Sequence, residues 1–240
     1  MASAHAHALD RATAPPTADR RSSAALVAGM VAGPLFIITA SIQGFLREGF
    51  DISRHPFSAL SVGDYGWVQV TNFVVAGALV VAASIGVGRA LPETGRVRTG
   101  AGLIAAHGFG LIGAGVFSTD AADGFPVGTP EGLPDTFSWQ AIVHGVVTPA
   151  AFVAILAATL VLAVPLGVRF GHRWRVASRT VPIAVVVTML APGLGGFSLR
   201  LAIASAVVMG WLVALAGRCL AAGDVDPAHA RSASPVQATT

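Results

Sequence analysis

Asp51, Arg54, His55 and Ser58 fall within one eight-residue stretch, Asp-Ile-Ser-Arg-His-Pro-Phe-Ser. Asp120, His144 and Arg200 supply more groups of the same kind far along the chain. Imidazole and carboxylate together suit a divalent metal such as zinc, and a metal-bound water can attack an ester. In such a site His55, His144 and Asp120 or Asp51 hold the metal, and Arg54 or Arg200 binds an anionic headgroup. Spacing is the obstacle. Only Asp51 and His55 recur at a helical interval, and Pro56 breaks any helix there. The chain carries no H-E-x-x-H, no G-x-S-x-G and no phosphate-binding glycine loop. The expectation is no cofactor, with a divalent metal such as zinc as the alternative.

The elements that must position these groups are membrane helices. Of 240 residues, 54% are hydrophobic and 11% charged, against roughly 25% charged in a soluble domain. Mean hydropathy is +0.71. That excludes a disordered chain, which needs low hydrophobicity and high net charge. It also argues against a soluble enzyme, whose surface needs more charge. Six apolar stretches stand out: Ser23 to Leu46, Trp67 to Leu91, Thr99 to Thr119, Ser138 to Leu166, Val176 to Leu194 and Ser198 to Ala222. About 20 apolar residues cross about 30 Å of hydrocarbon. The fifth is the weakest, with Arg179 near its start and Pro182 inside, and is read as a span because Val181 to Leu194 is uncharged. The first run is too long for the core of a signal peptide and is read as retained.

Every one of the 15 basic residues is arginine, and the net charge is +3. The arginines form short clusters between apolar runs, which is not a nucleic-acid footprint. Twelve fall on one side of the expected spans: in the two tails, in the second loop and in a fourth loop holding Arg169, Arg173, Arg175 and Arg179. Three, Arg47, Arg54 and Arg200, fall on the other. By the positive-inside rule both termini are cytoplasmic. The expected fold is all-α, a bundle of six transmembrane helices over residues 23–222 in the cell membrane. Disordered cytoplasmic tails are expected at 1–22 and 223–240.

The candidate residues then share the outward side. Loop three, Asp120 to Trp139, alternates Gly124, Gly128 and Gly132 with Pro126, Pro130 and Pro134. It reads either as a lid over the outer end of the bundle, in which Phe125 and Leu133 dock downward, or as a solvated connector. Asp120 sits where a helix is expected to end, at the negative pole of its dipole. An arginine should compensate it, Arg54 or Arg200, and an Asp120–Arg200 or Asp51–Arg200 pair would also neutralise Arg200 within its span. His107 lies mid-span, either as a hydrogen-bonded link between helices or as a working group. Gly29 and Gly33, and the series Gly102, Ala106, Gly110 and Ala114, read as faces for close packing inside the bundle. The lone Cys219 reads as a small buried hydrophobe.

Gly49-Phe-Asp-Ile-Ser-Arg-His-Pro-Phe-Ser-Ala-Leu-Ser-Val-Gly63, followed by Gly66-Trp-Val-Gln-Val-Thr-Asn-Phe-Val-Val-Ala-Gly77, resembles the opening motif of the domain-of-unknown-function 998 family. Gly113-Ala-Gly-Val-Phe-Ser-Thr-Asp120 with Gly124-Phe-Pro126, the Trp139/His144 segment and Gly196-Phe-Ser-Leu-Arg200 extend the resemblance. It runs from about Ala25 to Cys219. Ser118 and Leu199 depart from it, standing where the family more often has Pro and Gln. The resemblance implies a six-span bacterial-type membrane protein and supplies no function. The functional expectation is binding of a lipid, small ligand or partner at the polar extracytoplasmic face. One alternative is a metal-dependent hydrolase of a lipid or envelope ester. Another is a small transporter using His107.

Overall fold

The structure, a computed structural model, describes residues 20–223. It is all-α. Six helices follow one another: α1 (Arg20–Leu46), α2 (Gly66–Ala90), α3 (Gly95–Val116), α4 (Trp139–Phe170), α5 (His172–Leu190) and α6 (Phe197–Gly223). A short 3-10 helix, Phe57–Ser61, lies between α1 and α2. Five of the six are long and apolar enough to cross a membrane. The exception is α5, whose first turns hold Arg173, Arg175 and Arg179. Its lower hydropathy follows from those guanidinium groups. It still returns the chain from the end of α4 to the start of α6.

Local chemistry sets the helix boundaries. The Thr94 hydroxyl accepts from the Val97 N–H at 3.2 Å and opens α3. Ser138 does the same for Ala141 at 3.1 Å and opens α4. Pro149 and Pro165 lie inside α4, as membrane helices tolerate when neighbours take up the freed backbone groups. α4 does not end where the arginines begin. It runs on to Phe170, and only Gly171, with φ +95°, separates it from α5. The expected fourth loop is therefore a tight helical hairpin, with Arg169 on α4 and Arg173, Arg175 and Arg179 on α5. The expected tails lie outside the described residues, except that Arg20, Arg21, Ser22 and Gly223 are helical.

Each helix packs on its neighbours in sequence, and α6 closes the ring on α1 while also touching α2. Leu26, Phe36, Val80, Ile104, Ile155, Leu162, Leu212 and Leu215 fill the middle. Cys219 is buried there too. In a bilayer such contacts rest on close packing, because lipid is as apolar as leucine. α2 and α3 approach backbone to backbone: a Cβ on Gly77 would lie 2.5 Å from the Gly108 carbonyl oxygen, and one on Gly108 would lie 2.8 Å from that of Gly77. Gly29 faces Ala83 and Ala216, and Gly33 faces Met209 and Val213, so both serve packing within the bundle. Gly110 and Ala114 also pack inward, but Gly102 and Ala106 are exposed. The connections 47–65, 117–138 and 191–196 gather at one end of the bundle, called distal here, opposite Arg20 and Gly223.

Candidate functional site

At the distal end the connection 47–65 folds into a hydrogen-bonded turn. The Arg54 and His55 N–H groups both donate to the Asp51 carbonyl, at 3.0 and 2.7 Å. That turn brings the His55 ring back so that its Nδ1 accepts from the Asp51 N–H at 2.9 Å. Its Nε2 lies 2.9 Å from the carbonyl oxygen of Asp123, in the connection 117–138. A ring that accepts at Nδ1 and faces a carbonyl at Nε2 must be the neutral Nε2–H tautomer. His55 is buried against Phe50 and Phe125, which also touch each other. The guanidinium of Arg47 lies over the Phe125 ring, 4.9 Å from its centroid. Arg47 is fixed there by donating to the Leu60 and Val62 carbonyls at 3.1 and 2.8 Å. Burial lowers its pKa below the ordinary arginine value. Phe125 docks as expected, at 1% exposure, whereas Leu133 is 70% exposed and does not.

The glycine–proline rhythm of the second connection has a backbone cause. Gly124, Gly128 and Gly132 all take positive φ, which Cβ-bearing residues disfavour. They let the loop fold on itself, with Asp123 N–H donating to the Gly132 carbonyl at 2.8 Å and Gly124 N–H to that of Pro130 at 3.1 Å. A third tie comes from α6, where the Ser198 hydroxyl donates to the Arg54 carbonyl at 2.8 Å.

The candidate polar groups are mostly engaged, each with a different partner. The Asp51 carboxylate accepts from the Ser53 hydroxyl and N–H, at 2.7 and 2.8 Å, and these bonds lower its pKa. Arg54 is ion-paired with Glu131 at the surface, and that contact raises its pKa. Ser58 turns into the bundle, where its residue helps to line a cavity. Asp120 is not held by an arginine. It accepts from the Ser138 N–H at 2.7 Å and the Ser138 hydroxyl at 2.6 Å. Because α3 stops at Val116, Asp120 lies beyond the negative pole and is instead at the positive N-terminus of α4. Arg200 donates from Nη1 to the Met189 carbonyl at 2.8 Å. It thus satisfies a free carbonyl in the last turn of α5, which offers an arginine in a helix end much of what a carboxylate would. His144 Nδ1 lies 3.1 and 2.8 Å from the Ala114 and Phe117 carbonyls, closing the end of α3. His55, Asp120 and His144 are thus not brought to one centre. Among the described residues no group of three or more His, Cys, Asp or Glu is disposed to hold a metal ion.

Two further polar groupings lie inside the bundle, and of their members only His107 stands out in the sequence. Gln69 and Asn72 are three residues apart in α2, and Gln43 faces them from α1. Gln69 Oε1 accepts from Gln43 Nε2 at 2.7 Å and from Asn72 Nδ2 at 3.1 Å, and Asn72 also donates to the Phe36 carbonyl at 3.0 Å. The signal was three amide side chains inside apolar runs. The second grouping is deeper. His107 Nδ1 lies 3.0 Å from the Ala151 carbonyl, so it carries the proton and Nε2 is a bare acceptor. That Nε2 and the hydroxyl of Thr148 are buried with no hydrogen-bond partner. Leaving a buried polar group unpaired costs about 1–3 kcal/mol.

Two spaces adjoin these groups. A groove of about 570 Å³ lies between α1 and α6 beneath the first connection. It is walled by Ile37, Phe45, Leu199, Ile203 and Ala206, with Asp51 at its rim. A smaller chamber of about 60 Å³ lies inside the bundle, lined by His107 and Thr148 among aromatic and aliphatic side chains. Phe57 and Ala202 belong to the walls of both.

An all-α bundle with five apolar helices of spanning length, joined by long connections at one end, defines a multi-pass integral membrane protein. The family model described as "Protein of unknown function (DUF998)" matches residues 30–221, and the chain belongs to that family. No curated protein and no solved structure matches the chain.

Proposed function

We propose that this protein binds a membrane lipid or a similar amphiphile at its extracytoplasmic face, in the groove between α1 and α6. The groove itself carries the reading. It is large enough for a chain-bearing molecule, since ligand pockets run about 300–1,000 Å³. Apart from Ser41 and Asp51 its lining is apolar, from α1, α6 and the first connection, so a hydrocarbon chain keeps there the surroundings it has in lipid. Asp51 at the rim is the one acid there. Its hydrogen bonds to Ser53 favour the ionised form, which suits a headgroup that donates, an ammonium or a hydroxyl. Arg54, engaged with Glu131, is less available to an anionic headgroup than the sequence implied.

The test is photo-crosslinking in nanodiscs with a phospholipid bearing a photoreactive acyl chain, followed by peptide mapping. Labelling concentrated on α1 and α6 near Phe45 and Ile203, and lost in Ala206→Trp, is the expected outcome. Even labelling around the bundle, unchanged by Ala206→Trp, would overturn the reading.

A further inference from the structure

The interior chamber contains a complementary pair of polar groups with nothing to satisfy them. His107 comes from α3 and Thr148 from α4. Nδ1 of His107 faces the Ala151 carbonyl, which fixes Nε2 as an acceptor. The Thr148 hydroxyl offers both a donor and an acceptor. Both atoms are buried and unpartnered, and both residues line the same space of about 60 Å³. Two serines also line the chamber: Ser205, whose hydroxyl already donates to the Leu201 carbonyl at 2.8 Å, and Ser58 from the first connection. The remaining walls include Phe36, Phe73, Phe152, Leu111 and Met209. A charged ligand would be stranded there, and a purely apolar one would leave both polar atoms unpaired.

We propose that the chamber is a binding site for an uncharged hydroxyl group on a small or slender apolar body. The hydroxyl donates to His107 Nε2 and accepts from Thr148, so one group meets both needs. The hydroxyl has two possible sources, a short free alcohol or the head of a long-chain alcohol. The second is compatible with the shared walls at Phe57 and Ala202, which place the chamber beside the groove. The short-alcohol arm does not depend on the groove reading.

The experiment uses the full chain in nanodiscs with ¹⁵N-labelled histidine. 1-Propanol and 1-hexadecanol are the two probes, with propane as the apolar control. The His107 Nε2 resonance is expected to move saturably with an alcohol and not with propane. Thr148→Val should weaken the response roughly tenfold, and Thr148→Ser should retain it. Response to 1-propanol assigns the short source. Response to 1-hexadecanol alone, lost in Ala206→Trp, assigns the long-chain source. A resonance already at the hydrogen-bonded position and unmoved by either alcohol means that water alone fills the chamber and overturns the proposal. Thr148 supplies neither atom of the His107–Ala151 bond, and a circular-dichroism melt checks that each variant is folded.

Discussion

His55 and Asp123, 68 positions apart in the sequence, are joined by the imidazole Nε2–H and a backbone carbonyl at 2.9 Å. The same ring accepts from the Asp51 N–H, so one side chain holds two connections together. Both nitrogens are in use only while the ring is neutral. Replacing His55 by Phe keeps the ring contacts with Phe50 and Phe125 but removes the partner of the Asp51 N–H and of the Asp123 carbonyl, both part-buried bonds. A loss of about 1 kcal/mol per bond is expected. Hydrogen exchange should speed up together in residues 47–65 and 117–138. Protection lost in only one of the two would contradict the joint.

Phe125 and Glu131 belong to the same loop and should behave oppositely. Phe125 is enclosed by Phe50, His55 and Arg47, so Phe125→Ala should cost about 3–5 kcal/mol. Glu131→Gln removes a surface ion pair of the kind that contributes little in water, and the melting temperature should hardly change. Thermal melts of the two variants in the same detergent decide the ranking.

Ser53 should govern the titration of Asp51. Its two hydrogen bonds hold the Asp51 pKa below the ordinary carboxylate value, about 3.9. The corresponding stabilisation is fully present above about 3.9 and fades as pH falls through the lower folded value. Ser53→Ala should move the Asp51 titration, followed by carboxyl NMR, upward toward the ordinary value. The backbone N–H bond survives in that variant, so an unchanged midpoint would show that the serine hydroxyl does not control it.

Gly108→Ala should separate α2 from α3. The added methyl would sit 2.8 Å from the Gly77 carbonyl oxygen, and Val81 is equally close. Backbone cannot yield as a flexible side chain does, so the variant should melt well below the parent. Gly102→Ala, on the same helix with nothing near its Cβ, is the matched control and should melt at or above it.

The arginine asymmetry predicts that a reporter fused after Thr240 is active in the cytoplasm. Activity confined to the extracytoplasmic side would reverse the orientation and move the groove to the inner leaflet.

The helices were legible because apolar runs of spanning length admit few alternatives. Their ends were less so. The arginines from Arg169 to Arg179 looked like a loop, yet a single glycine with φ +95° lets helix continue on both sides. The distal residues were rightly gathered at one end, since topology alone puts them there. Their partners were not legible. Charge arithmetic paired Asp120 with an arginine, but a serine at a helix N-terminus offers a carboxylate two donors at no cost in buried charge. Arg200 likewise found carbonyls. Sequence shows which groups need compensation, and only the fold shows that backbone supplies it.

The hairpin at Gly171 has a consequence for how the molecule meets its surroundings. The two connections at the end near Arg20 and Gly223 are the single residue Gly171 and the segment 91–94, whereas the opposite end carries 47–65, 117–138 and 191–196. Among the described residues, the non-helical chain is almost all on one side. A protease or an antibody approaching from that side meets nearly every accessible stretch between helices. Insertions that lengthen a connection have room there and almost none at the other end.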